Sequence, residues 1–157
     1  MTVRIFVAFD VEHDQDLCDR MQAGSGSQGV FEVAGRSQGG ELTPLWEQKT
    51  QARIAAVDQV VVACGEHTDG SEQVAAELRI AREQGKPVIL LWSRRETMCK
   101  KPSGARPADS MYSWTPEVLR EQLLANQRKA LGESVPERLK RVVPAPPTVP
   151  PPPDAKG

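Results

Sequence analysis

Three features of the sequence predict a three-layer α/β domain built around a parallel sheet. Short apolar runs recur at residues 3–9, 57–64 and 88–92, each bounded by polar or glycine-containing segments. The stretch from 60 to 92 reads strand, polar loop, helix, turn, strand, and a crossover of that length makes a parallel pair. Apolar strands with no polar alternation need helices over both faces of their sheet.

Each element follows from its own residues. Residues 3–9 are apolar and partly β-branched, as a buried central strand would be. Residues 13–23 predict a helix, with Leu17 and Met21 at i and i+4. Residues 24–29 read as a flexible loop, 30–34 alternate like a short strand, and 35–40, with three glycines, read as a second mobile loop. Thr43-Pro44 supplies a hydroxyl cap and a proline at the first helical position. Trp46, Thr50, Ile54 and Val57 mark one face of the helix that follows. After the strand at 57–64, a helix over 72–84 is stopped by Gly85 and Pro87, and 88–92 is another buried strand.

Residues 93–113 show no clear period and predict a long loop. Thr115-Pro116-Glu117 repeats the cap-plus-proline start, Leu119, Leu123, Gln127 and Ala130 follow at helical spacing, and Gly132 ends the helix. The expected division is a domain over 1–132, a short basic helix or linker over 133–143, and a disordered tail over 144–157. Half of the fourteen tail residues are proline, which suits a solvated polyproline-like segment.

Composition excludes several classes. A net charge of −1 gives no reason to expect nucleic acid or an anionic membrane as partner. No apolar run approaches the ~20 residues of a membrane span, and the N-terminal segment does not read as a signal peptide. Three widely spaced cysteines, Cys18, Cys64 and Cys99, suit reduced thiols in a cytoplasmic protein. With only His13 and His67, and no C-x-x-C, no zinc site is recognisable.

The ligand site of such a sheet lies beyond the carboxyl ends of its strands. That edge carries Asp10 after the first strand and Gly65-Glu66-His67-Thr68 after the third. Glu77 falls at the border of the inward stripe formed by Val74, Leu78 and Ala81, and no basic residue stands at i±3 or i±4. Either a basic residue from elsewhere pairs with it, or it is a partly desolvated carboxylate available as acid, base or acceptor. Asp10, Glu12, His13, Asp14 and Asp16 form an acidic cluster at this edge, which reads as a polar pocket contacting a sugar or metal, or as capping of the first helix; capping accounts for Asp14 and Asp16, and Asp10 fits either. Arg36 and Ser37, in the glycine-rich loop, could bear on phosphate, although no G-x-G-x-x-G or Walker motif is present. Cys99 before Lys100-Lys101 reads as an inert thiol, and Arg138, Lys140 and Arg141 as a solvated face.

Several blocks carry a family resemblance: IFVAFDVEHDQDL, FEVAGRS, Trp46-x-x-Lys49, VDQVVVACGEHT, VAAELRIAREQGKPVILLW and MYSWT. Over about residues 3–125 the chain resembles the TIR-like domains of bacteria, which include the TIR protein of the Thoeris anti-phage system. The resemblance implies a flavodoxin-like fold and an enzyme that cleaves NAD at the nicotinamide–ribose bond or cyclises the product into an ADP-ribose signal. NAD is then the substrate, with no cofactor and no metal required. The family's essential glutamate matches Glu77, and Phe9, Asp10 and Ser37 would line the same pocket, with Arg36, His67 and Thr68 beside it. Many members carry an aromatic residue shortly before that glutamate; here the segment reads Gly70-Ser71-Glu72-Gln73-Val74. The resemblance further implies self-association through TIR–TIR contacts and a downstream effector protein. A non-catalytic interaction module and a nucleotide sensor are the alternatives.

Overall fold

Among the described residues strands and helices alternate as far as the fourth strand, a fifth strand follows it directly, and all five strands run parallel. A computed structural model describes residues 2–28, 31–92, 94 and 97–130. In chain order the elements are β1 (Val3–Ala8), α1 (Gln15–Gln28), β2 (Phe31–Arg36), α2 (Pro44–Ala55), β3 (Gln59–Cys64), α3 (Glu72–Glu83), β4 (Val88–Trp92), β5 (Met111–Ser113) and α4 (Pro116–Ala130). A single 3-10 turn, Thr68–Gly70, precedes α3. The sheet order is β2-β1-β3-β4-β5. This is the flavodoxin-like α/β architecture expected above.

Two cores sandwich the sheet. On one face Leu17, Cys18 and Met21 of α1 and Leu119 and Leu123 of α4 pack on Val3, Ile5, Val7, Val61 and Leu91. On the other, Trp46 and Ile54 of α2 and Val74, Ile80 and Ala81 of α3 pack on Phe6, Ala8, Val60, Val62 and Leu90. Successive residues of β1 and β3 serve opposite cores, which is why these central strands show no polar alternation. Buried Gln59 ties β3 to α4: its amide donates to the Leu123 carbonyl at 2.8 Å and accepts from Asn126 at 3.0 Å.

Both capping signals hold: Thr43 accepts from the Trp46 N–H at 3.1 Å and Thr115 from Val118 at 3.1 Å. The structure adds a third cap, Ser71, which accepts from the Val74 N–H at 3.2 Å. Past the end of α3, Gly85 takes φ +71°, the left-handed geometry expected there.

Three expectations need correction. The helix expected at 13–23 starts at Gln15 and continues through Gln28, across the Gly-Ser segment read as a loop. A crossover helix must run back along its strand; six strand residues span ~20 Å and fourteen helical residues ~21 Å, so geometry overrides weak propensity. Gly35 and Arg36 belong to β2, not to a loop. There the register slips between Ile5 and Phe6, and a Cβ at Gly35 would lie 2.9 Å from the Phe6 ring, so close approach requires this glycine. The segment 93–113 ends in a fifth strand, Met111–Ser113, too short to show a period. Asp14 and Asp16 do stand at the start of α1, immediately before it and in its first turn, and Arg94 pairs with both as described below. The expected basic helix or linker over 133–143 and the proline-rich tail lie outside the described residues.

Candidate functional site

In this strand order the chain turns one way from β1 to β2 and the other way from β3 to β4. The carboxyl ends of β1 and β3 therefore flank the switch point, where open α/β sheets place ligands. A cleft of about 550 Å³ opens there, between the β1–α1 loop (Asp10 to His13), Gly39 to Leu42, and the approach to α3 from His67 to Gln73.

Under this cleft lies a buried relay. The Phe9 N–H donates to Ser37 Oγ at 3.0 Å, and the Ser37 hydroxyl donates to Glu77 Oε1 at 2.7 Å. Ser37 is held in turn by its own N–H, which extends the sheet ladder to the Val7 carbonyl at 3.0 Å. β1, β2 and α3 thus converge on one carboxylate, which is only 1% exposed. Burial pushes its pKa from 4.5 up to about 7, against the Ser37 hydrogen bond, the nearby Gln73 amide and the charge of Arg53, which all favour ionisation. Gln73 steadies the ionised form through its proximity, and its Nε2 is itself buried with no hydrogen bond formed. Gln73 lines the cleft and Glu77 follows it one helical turn later, so Glu77 lies behind the cleft wall.

The remaining expected site residues separate into three groups. Asp10 and His67 line the cleft. Asp10 Oδ1 accepts from the Glu12 N–H at 3.0 Å, and Oδ2 meets His13 Nδ1 at 2.8 Å. Phe9 contributes its backbone to the relay while its ring is buried in the α1-side core. Arg36 pairs with Asp19 and Gln22 of α1, at 2.9 Å each, and lies over the Phe9 ring at 5.4 Å, away from the cleft lining. Thr68 is fully buried, and its hydroxyl accepts from the Gly65 N–H at 2.7 Å, shaping the loop after β3.

From the cluster read at this edge, Asp10, Glu12 and His13 line the cleft, with His13 paired to Asp10 and stacked on His67, ring centroids 3.9 Å apart. One feature went unread in the sequence. Arg94 clamps the start of α1, reaching Asp14 at 3.1 Å, Asp16 at 2.7 Å and the His13 carbonyl at 3.2 Å. Asp14 is buried against Gly65, where a Cβ would fall 2.5 Å from both carboxylate oxygens. Burial raises its pKa and Arg94 opposes the rise. No local pattern reports a pair separated by 80 residues.

Asp10, Glu12 and His13 also offer three ligand atoms within 4.8 Å of one another, but both Asp10 oxygens are already engaged. Cys18 and Cys64 are buried, with burial pushing their thiols up to about 11 and about 12, so neither is a thiolate nucleophile near neutral pH.

A family model described as Thoeris protein ThsB, TIR-like domain, matches residues 6–97. The chain belongs to this family. The match runs from β1 through β4 and takes in Asp10, Ser37, His67 and Glu77, while β5 and α4 lie beyond it. Membership makes this a TIR-type protein of anti-phage defence. No curated protein matches the chain. Among the described residues no helix is long and apolar enough to cross a membrane.

Proposed function

We propose that the protein consumes NAD, breaking the nicotinamide–ribose bond and releasing an ADP-ribose-type signal by hydrolysis or cyclisation. The observation that carries this reading is the Ser37–Glu77 hydrogen bond of 2.7 Å, which fixes a buried carboxylate of pKa about 7 one turn behind the cleft. Breaking the bond develops oxocarbenium-like charge on the ribose, as in glycoside cleavage generally. An ionised Glu77 in a low-dielectric setting stabilises that charge far more than it would in water. Access requires Gln73 to swing off the wall, bringing the ribose against Glu77.

The charge of the cleft supports one orientation. Asp10, Glu12, Glu41, Asp69 and Glu72 line it, with no Lys or Arg among the lining residues. Such a cleft attracts the cationic nicotinamide ring and repels the diphosphate, so NAD enters pyridinium first with its diphosphate toward solvent. The stacked His13–His67 rings offer the pyridinium a flat face. Self-association fits the habit of TIR-like domains, and Leu42 and Leu45, exposed near the cleft, suit contact with a second copy. The signal would act on a separate effector protein.

Nicotinamide release by the full chain tests the reading. Wild type is expected to release nicotinamide, and Glu77→Gln at least ~100-fold more slowly, the scale of losing one preorganised electrostatic group. The covered position of Glu77 favours a second reading, a sensor that holds the nucleotide without turnover. NAD binding measured by calorimetry with no nicotinamide released would select it.

A further inference from the structure

We propose that His13 is a general base in the cleft, its Nε2 accepting the proton of the hydroxyl nucleophile that captures the ribosyl cation. The inference rests on the NAD-cleaving reading and adds a residue to it. Asp10 Oδ2 lies 2.8 Å from His13 Nδ1. A carboxylate only accepts, so the neutral ring keeps its proton on Nδ1 and carries its lone pair on Nε2. Asp10 is itself fixed, being 7% exposed and holding the Glu12 N–H with its other oxygen. The imidazole side chain is 44% exposed and lines the cleft. Its stack on His67, at 3.9 Å, further restricts the ring. An orienting carboxylate, a fixed tautomer and an open second nitrogen are the parts of an acid–base dyad.

No other group on the cleft combines these parts. Glu77 serves the cation and lies behind the wall. Asp10 has both oxygens occupied, Asp69 faces the Lys100 ammonium at 3.9 Å, and Glu12, Glu41 and Glu72 carry no orienting partner among the described contacts. The groups acting on His13 are Asp10, Glu12 and Asp14, all of which favour its protonated form, and they raise its affinity for a proton.

The step balances. The C1′–N bond breaks and nicotinamide leaves neutral with the bonding pair. Water forms the new C1′–O bond as its proton passes to His13 Nε2, and the imidazolium then gives that proton to solvent. The base is needed only when the nucleophile has a proton to lose. A pyridine attacks through a nitrogen lone pair and needs no base.

That difference is the test. Full-length wild type and His13→Asn are given NAD together with 3-acetylpyridine, and ADP-ribose formation and pyridine exchange are measured in one reaction. Asparagine keeps an N–H near the Nδ1 position for Asp10 and lacks Nε2, so the loop stays paired; a thermal melt checks folding. The ratio of hydrolysis to exchange is expected to fall ~100-fold or more, from the lower end of what a general base contributes upward. An unchanged ratio with wild-type turnover overturns the role of His13 and leaves the NAD reading standing. A wild type that neither hydrolyses nor exchanges NAD overturns both. Imidazole nitrogen NMR of the full chain gives a readout independent of turnover. Wild type should show the Nδ1–H tautomer at His13 and Asp10→Asn should lose that preference, whereas an Nε2–H tautomer in wild type overturns the proposal.

Discussion

Glu77 carries two opposing effects. Its ionised form is the one that stabilises a ribosyl cation, yet its surroundings favour the neutral form, with a pKa of about 7. Turnover should therefore rise with pH through about 7 and level off above it, and a flat profile between pH 6 and 8 would argue against an ionised Glu77 in the rate-limiting step. Ser37 tunes the same group. Ser37→Ala removes the donor that favours ionisation and leaves the buried Phe9 N–H without its acceptor. The rise in the profile should move to higher pH, and stability should fall by about 1–3 kcal/mol, the cost of an unsatisfied buried polar group. Denaturant titration of the variant beside wild type measures the second effect, and its pH–rate curve the first.

The start of α1 depends on one long-range clamp. Arg94 holds Asp14 and Asp16 together, and Asp14 is 1% exposed with Oδ2 lacking a hydrogen bond. Arg94→Met leaves that carboxylate buried without its cation, a change that costs about 3–5 kcal/mol when a buried pair is broken. The measurement is the urea midpoint at pH 7; a midpoint within error of wild type would mean that Asp14 gives up its charge at little cost. Gly65→Ala attacks the same joint from β3, because its Cβ would meet both Asp14 oxygens. The strands β1, β3 and β4 and the starts of α2, α3 and α4 were legible in the sequence because their signals are local: unbroken apolar runs, hydroxyl caps and proline or glycine punctuation. Three features were not. The slip in β2 depends on Phe6 crossing Gly35, the short β5 depends on pairing with β4, and the Arg94 clamp depends on contacts far apart in sequence. At the site, Glu77 stood out as a polar residue bordering an apolar stripe. Its tie to Ser37, 40 residues away, had no local trace.

For the molecule as a whole, the buried carboxylates set how stability varies with pH. Glu77 has a folded pKa of about 7 against an ordinary 4.5, so the contribution of its neutral form is complete below 4.5, declines as pH rises, and is gone above about 7. Two and a half units correspond to ~3 kcal/mol. Asp14 shifts in the same direction. The melting temperature should therefore drop by several degrees between pH 5 and pH 8. Glu77→Gln, which keeps the Ser37 donor paired and removes the charge, should flatten that drop and melt higher than wild type at pH 8. A variant that melts lower at pH 8 would show that burial of the charge is compensated elsewhere. The relay therefore has an evolutionary consequence. Ser37 completes the β1–β2 edge whether or not any reaction takes place, whereas Glu77 weakens the fold at neutral pH and is retained only under selection for its charge. Lineages that abandoned the reaction should keep the serine and drift to glutamine or an apolar residue at the glutamate. Across relatives of this chain, the residue at position 77, rather than the one at 37, should separate working enzymes from silent descendants.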